Sequence, residues 1–290
     1  MSSSKEVKNA IQQVIRRMMD RVMDNVLVND PFVPEAHHAK KPLYAALVPD
    51  EIFKGSHFER RFTTPFGKAW ETLAVVAAKE GLGRGEMGFR IKGNVSAERL
   101  RRIAEVLSRL EHGKDADGRK IKPDWTHEVQ YIQQGGGELI PTEVECDVYA
   151  ETKDGSRKVA FELKAPMPNS DQTKVSKEKL FKLYAMQPMQ VTHAYFALPY
   201  NPYGRSRTDY QWSFPMRWFD MHRDPVVLIG DEFWDTIGGP GTYNAFLEAV
   251  NQLGRAYKDR IYKEFLGIHP PNPETVPPFQ IEEGSRNYEI

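Results

Sequence analysis

The chain has 290 residues, of which 40% are hydrophobic and 11% aromatic, and this composition predicts a globular protein rather than a disordered one. Its 40 Lys and Arg residues balance 40 Asp and Glu residues, which excludes a uniformly basic protein, so any nucleic-acid site must be a local patch. The single cysteine excludes an internal disulfide. We expect a cytoplasmic protein, because the sequence has neither a signal-peptide core nor an apolar stretch of membrane-spanning length.

Helical periodicity characterises the first part of the chain. Apolar side chains recur every three or four residues over residues 7–28, which predicts an amphipathic helix. Thr64-Pro65 is a typical helix start, and it predicts an apolar helix that ends by Gly83. Ser96 is then expected to cap a further helix.

Glu71 stands out in the second of these helices, because its neighbours are almost all apolar. A carboxylate in a buried helix requires a partner. From the residues alone, Glu71 is expected to pair locally with Lys68 or to reach solvent.

A charged strand pair is predicted in the middle of the chain. Residues 143–151 alternate acidic side chains with small or apolar ones, and residues 158–165 alternate apolar with charged ones, which is the period of a β-strand. Turn-forming residues connect the two stretches and predict a hairpin. If the apolar faces close together, Asp147, Glu162 and Lys164 gather on the opposite face.

These three side chains suit the hydrolysis of a phosphodiester. Mg²⁺ prefers oxygen ligands, so Asp147 and Glu162 are candidate metal ligands. Lys164 would hold or deprotonate the attacking water and offset the charge that builds up on phosphorus. The competing interpretation is a solvated hairpin whose charges pair across the strands and bind nothing.

The same residues resemble those of known enzymes. Asp147 followed by the triplet 162–164 resembles the catalytic core of the PD-(D/E)XK nuclease superfamily. Similarity to the TdeIII-type restriction endonucleases continues over residues 165–180, 194–204 and 224–234. The resemblance implies an α/β fold in which helices flank a central mixed β-sheet. It also implies a type II restriction endonuclease that uses Mg²⁺ to cleave both strands of duplex DNA at a short, palindromic site.

The resemblance places the three hairpin residues at the catalytic positions, with one departure from the motif. Pro141 stands six residues before Asp147 rather than beside the catalytic acid. Glu145, on the same strand face, is therefore an alternative first carboxylate. Many nucleases that this chain resembles also place a helical glutamate beside the metal, which makes Glu71 a possible further ligand.

DNA contacts are predicted after the second strand of the hairpin. Lysines crowd a helix over residues 169–186, directly after the proposed site, where phosphates would have to be held. Residues 200–218 mix aromatic side chains with the arginine and amide types that read base edges, although they could equally form an aromatic-rich loop that packs on itself. The predicted contacts are Asn169, Gln172, Lys174, Lys177, Lys179, Arg205, Arg207 and Arg217.

One nuclease domain is expected over residues 1–266, with a helical part to about residue 112 and a catalytic and recognition part over 113–266. Apolar runs at 191–198 and 226–229 predict two further central strands. Residues 267–290 read as a proline-rich tail.

A single active site cuts one strand, so cleavage of both strands of a palindrome predicts a homodimer with matching two-fold symmetry. The resemblance further implies functional pairing with a cognate DNA methyltransferase. Two alternatives remain open at this point. One is a structure-specific DNA repair or recombination nuclease with the same core, and the other is a DNA-binding module without catalytic activity.

Overall fold

The computed structural model describes residues 4–272 of the chain. Its elements are, in chain order, α1 (Ser4–Asp24), α2 (Pro34–Lys40), α3 (Pro42–Ala45), α4 (Asp50–Gly81), β1 (Gly83–Ser96), α5 (Ala97–His112), α6 (Trp125–Gln133), β2 (Leu139–Thr152), β3 (Lys158–Leu163), α7 (Ser170–Ala185), β4 (His193–Leu198), β5 (Val227–Ile229), α8 (Asp231–Gly238) and α9 (Thr242–Arg260). Most of the predicted tail lies outside the described residues. Among those residues, no helix combines the length and apolar character needed to cross a bilayer.

The chain divides into two compact units, and each is described by itself. One unit contains the segment Ala74–Asn244, and the other contains Lys8–Leu73 together with residues 245–272 of the described chain. In the second unit, the Tyr257 hydroxyl of α9 donates a 2.6 Å hydrogen bond to Asp20 of α1. The division expected near residue 112 falls inside the first unit.

The first unit is built on a five-stranded sheet in the order β1-β2-β3-β4-β5. Strand β2 is antiparallel to both β1 and β3. Strands β4 and β5 continue the sheet parallel to β3. Buried aromatic side chains from the helices pack on the sheet, and burial of each contributes about 1.5–3 kcal/mol. The predicted α/β architecture, a mixed sheet flanked by helices, is confirmed, as are the hairpin and both later strands.

Strand β1 was not predicted, because four glycines interrupt its alternation of apolar and polar side chains, and glycine is depleted in strands. It pairs with β2 along its whole length. Arg84 and Arg90 of β1 form ion pairs of 2.6 and 2.9 Å with Glu151 and Glu145 of β2. Opposite charges across an antiparallel pair stabilise it, so these ion pairs support the pairing of β1 with β2.

The helix start predicted at residue 64 is wrong, because Pro65 lies inside the continuous helix α4. Proline removes a backbone hydrogen bond from a helix interior, and something must offset that loss. Along α4, aromatic rings four residues apart pack in a row on both sides of the proline, and this contact stabilises the helix. Neighbouring ring centroids are 5.0 to 6.3 Å apart in the row Phe58, Phe62, Phe66 and Trp70.

Candidate active site

The hairpin of β2 and β3 brings together the three residues predicted for catalysis. Val148 pairs with Phe161, and the same register carried one residue further places Asp147 opposite Glu162. Residues directly opposite each other in an antiparallel pair project from the same face. Lys164 follows the last residue of β3, where its backbone N–H donates a 3.0 Å hydrogen bond to β4.

The Lys164 ammonium connects the two carboxylates. Its Nζ lies 2.7 Å from Asp147 Oδ2 and 3.5 Å from Glu162 Oε2. Burial lowers the pKa of Lys164, but the negative charges of Glu162 and Asp147 outweigh burial and raise that pKa above its ordinary value. Lys164 is therefore positively charged at neutral pH.

Asp147 has one fixed and one open oxygen. Its Oδ2 accepts hydrogen bonds from the Leu163 backbone N–H at 2.9 Å and from Lys164. No residue in the described part of the chain donates to Oδ1. A carboxylate oxygen has two acceptor sites, so Oδ1 is available to a further ligand.

Glu162 is the buried member of the group, with 1% of its side chain exposed. Lys179 of α7 places its Nζ 2.9 Å from Oε1 and 3.2 Å from Oε2, and Ser176 donates to Oε2 at 3.4 Å. Burial, followed by the charge of Asp147, raises the pKa of Glu162 to about 7. Glu162 needs nearby positive charge to remain an anion at neutral pH.

Helix α7 supplies the contacts of both Ser176 and Lys179 with Glu162, because residues three apart share one helix face. The helix begins after Asn169, whose side chain accepts a 2.8 Å hydrogen bond from the Gln172 backbone N–H. The sequence indicated Lys179 as a DNA contact, but the structure places its ammonium on Glu162. In the sequence the lysines of α7 look equivalent, and only the rotation of the helix against β3 distinguishes Lys179.

Comparison with known proteins identifies the family of this chain. A family model described as type II restriction endonuclease, HinfI, matches residues 7–254. The chain belongs to the HinfI family of type II restriction endonucleases. It is 29% identical over 230 residues to the type II restriction enzyme HgiCII of Herpetosiphon aurantiacus, and the match covers 78% of this chain and 82% of that relative. The type II restriction enzyme HgiBI of the same organism is 28% identical over 229 residues, covering 78% and 81%.

Membership of the HinfI family confirms the predicted enzyme class, an endodeoxyribonuclease of type II. DNA is therefore its substrate. The narrower resemblance to TdeIII-type enzymes stays a prediction, since the family model that matches is HinfI.

The structure places one predicted DNA contact of this HinfI-family enzyme in the core. Lys177 has no exposed side-chain surface, and its Nζ lies 2.6 Å from Glu128 Oε2. The same ammonium donates to the Trp218 carbonyl, and three aromatic ring centroids lie 4.9 to 5.7 Å from it. The prediction that Lys177 contacts DNA is wrong, because a buried, ion-paired ammonium cannot reach a phosphate without unfolding its surroundings.

Two of the predicted arginines bind backbone carbonyls of their own unit. Arg207, with 16% of its side chain exposed, donates to the carbonyls of Met221 at 2.7 Å and of Asp224. Arg217 donates to the carbonyl of Glu111. These contacts stabilise the fold, so neither guanidinium is presented for reading a base in the structure as it stands.

The remaining predicted contacts lie nearer the surface. Arg205, Asn169 and Gln172 are exposed. Lys174 has 33% of its side chain exposed, forms an ion pair with Glu111 and lies 5.6 Å from the Trp218 ring centroid. Exposure leaves these four as candidates for DNA contact.

The segment 200–218, predicted to read DNA, is anchored beside the active site. Tyr210, Trp212 and Trp218 each donate a hydrogen bond of 2.8 to 2.9 Å to residues 166–170, which connect β3 to α7. The segment therefore packs on the connection that follows β3, and not only on itself.

The two alternative metal ligands have other surroundings. Glu145 has 53% of its side chain exposed and pairs with Arg90 across the β1–β2 ladder. Glu71 lies half-buried on α4, in the second unit. Within the first unit, the structure brings together Asp147, Glu162 and Lys164, with Lys179 added.

The oxygen donors of this group fit a small, hard divalent cation. In the part of the chain that the structure describes, no three His, Cys, Asp or Glu side chains cluster as a metal site. Two carboxylates would therefore share the cation with water and substrate phosphate oxygens. Mg²⁺ binds in this manner at sites of phosphoryl transfer, so the donor set suits Mg²⁺.

Proposed function

We propose that this enzyme hydrolyses both strands of duplex DNA at a short, palindromic site through a Mg²⁺-dependent centre of the PD-(D/E)XK type. Asp147 and Glu162 hold the metal, and Lys164 acts on the attacking water. The observation that carries the proposal is the convergence of two carboxylates on one ammonium where β3 ends, at 2.7 and 3.5 Å.

Each side chain has a distinct task in this proposal. A bound Mg²⁺ would supply Lewis-acid stabilisation of the phosphate and a water of lowered pKa. Lys164 and the Leu163 N–H both donate to Asp147 Oδ2, which leaves Oδ1 to bind the metal. Lys164, 2.7 Å from Asp147 Oδ2, orients the attacking water and offsets the charge that builds up on the phosphate.

The first prediction concerns the metal. Mg²⁺ is expected to support cleavage, whereas Ca²⁺ should support DNA binding without hydrolysis, because its larger and looser coordination sphere positions water poorly. The measurement is a cleavage assay paired with a gel-shift assay, in Mg²⁺, Ca²⁺ and EDTA. Cleavage at an undiminished rate in EDTA would remove the metal from the proposal.

Assembly follows from the number of sites. Residues 4–272 contain one such centre, and one centre cuts one strand, so we place two copies of the chain on a palindromic site. A cognate methyltransferase would protect cellular DNA from this activity, and both proteins would act in the cytoplasm. We also propose that the enzyme is of the TdeIII type.

The second prediction separates base reading from backbone contact. If exposed Arg205 makes a bidentate contact with guanine, Arg205→Ala should lose about 1–3 kcal/mol of discrimination between cognate and altered sites. Lys174→Ala should instead weaken binding to all sequences equally and reduce its salt dependence. Fluorescence anisotropy in Ca²⁺ on matched duplexes measures both effects. An Arg205→Ala variant with unchanged site preference would show that base reading is done by other residues.

A further inference from the structure

Lys179 is a cation that the nuclease motif does not account for. Its Nζ contacts both oxygens of Glu162, at 2.9 and 3.2 Å. Lys164 is 3.5 Å from the same carboxylate and 2.7 Å from Asp147. The ammoniums therefore divide between the carboxylates, Lys164 mainly on Asp147 and Lys179 on Glu162.

This arrangement neutralises the site when it holds no metal. Glu162 is 1% exposed, and a buried carboxylate without positive charge beside it is strongly unfavourable. With Glu162 ionised, two ammoniums and two carboxylates sum to zero charge. A divalent cation that binds Glu162 must compete for oxygen atoms that Lys179 already occupies.

We propose that Lys179 is an internal counter-cation of Glu162 that holds the carboxylate in place in the metal-free protein and competes with the divalent cation for its oxygens. Lys179 is thus a positioning residue that acts through Glu162. It tunes metal affinity downward, so that full occupancy requires the additional oxygen ligands of a substrate phosphate. This inference rests on the proposed role of Glu162 as a metal ligand.

A phosphate contact by Lys179, as its sequence position suggested, would have different consequences. A lysine that neutralises a phosphate contributes about 0.9 to the slope of log affinity against log salt concentration. With Lys179 held on Glu162, Lys179→Met should leave that slope unchanged for DNA binding measured in EDTA. A slope reduced by the amount of one phosphate contact would overturn the proposal.

The decisive experiment titrates CaCl₂ into the full-length protein without DNA by isothermal calorimetry. Lys179→Met keeps most of the apolar stem and removes the charge, so Ca²⁺ should bind about tenfold or more tightly than to wild type. The same variant, metal-free, should unfold at a lower temperature, because Glu162 loses its counter-charge. Unchanged or weakened Ca²⁺ binding would overturn the proposal.

Two further variants give the experiment a control and a case in which Ca²⁺ affinity should not increase. Lys182→Met removes a lysine of the same helix whose partner is Glu178, at 2.6 Å, and should leave Ca²⁺ affinity unchanged. Lys179→Arg keeps the charge and offers a bidentate fork to the carboxylate, so Ca²⁺ should bind no more tightly than to wild type. Tighter binding by the arginine variant would contradict competition, and this test remains if the methionine variant does not fold.

Glu162→Gln separates failure of this inference from failure of the proposed function. If Glu162→Gln leaves Ca²⁺ binding intact, Glu162 is not a ligand and the proposed metal site is itself wrong. If Glu162→Gln abolishes Ca²⁺ binding while Lys179→Met weakens it, the metal site stands and only the competing role of Lys179 is rejected.

Discussion

Alanine in place of Lys164 is expected to slow single-turnover DNA cleavage by about 100- to 1,000-fold, the usual effect of losing one donor that stabilises charge in the transition state. Asp147→Ala and Glu162→Ala should reduce cleavage at least as much, because each removes a carboxylate that would hold the metal. DNA binding should survive in Asp147→Ala, or tighten, since a negative charge near the phosphates is gone. Rapid-quench cleavage and gel-shift assays on the same duplex separate the two effects.

Glu145→Ala is the matched control on the same strand face. Glu145 is half exposed and pairs with Arg90, and loss of an exposed ion pair costs only about 0–1 kcal/mol. Its cleavage rate should therefore stay far above that of Asp147→Ala. A Glu145 variant as inactive as the Asp147 variant would move the first carboxylate to Glu145.

Replacing Lys177 with methionine is expected to reduce the free energy of unfolding by about 3–5 kcal/mol, because it leaves Glu128 buried without its partner. Both side chains are nearly inaccessible, at 0% and 3% exposure. Urea denaturation followed by tryptophan fluorescence measures the loss. The Trp125 ring centroid lies 5.7 Å from the Lys177 ammonium, so this tryptophan should report the loss directly.

A second substitution checks the cause of this destabilisation. Adding Glu128→Gln to Lys177→Met removes the orphaned charge and should restore part of the lost stability. Lys182→Met, on the solvent side of the same helix, should change stability by less than about 1 kcal/mol. Equal destabilisation by the Lys177 and Lys182 substitutions would show that Lys177 is not the buried ion-pair partner described above.

The β2–β3 hairpin could be predicted from sequence because the period of a strand alone assigns each residue to a face. Asp147 and Glu162 lie on the polar face of their strands, and a hairpin register then sets them opposite each other. Strand β1 also alternates apolar and polar side chains from Phe89 to Val95, but its four glycines lower the strand propensity of the stretch. The continuation of α4 through Pro65 depends on an aromatic row that local helix-start rules do not weigh.

The lysines of α7 mark the limit of sequence-based prediction for the site. Lys174, Lys177 and Lys179 have the same chemistry and close spacing, yet the structure pairs them with partly exposed Glu111, buried Glu128 and the proposed metal ligand Glu162. The rotation of α7 about its axis decides these environments, and that rotation follows from packing against α5, α6 and the sheet. Charge patterning alone therefore overstates the number of lysines available to DNA.

Digestion of phage DNA with the wild-type enzyme in Mg²⁺, followed by sequencing of the fragment ends, tests the nuclease centre most directly when Lys164→Ala and Asp147→Ala are run beside it. We expect the wild-type digest to end at one short palindromic sequence on both strands, and the variant digests to leave the DNA intact at matched times. Fragment ends of the same kind and yield from either variant would contradict the assignment of catalysis to the β2–β3 hairpin.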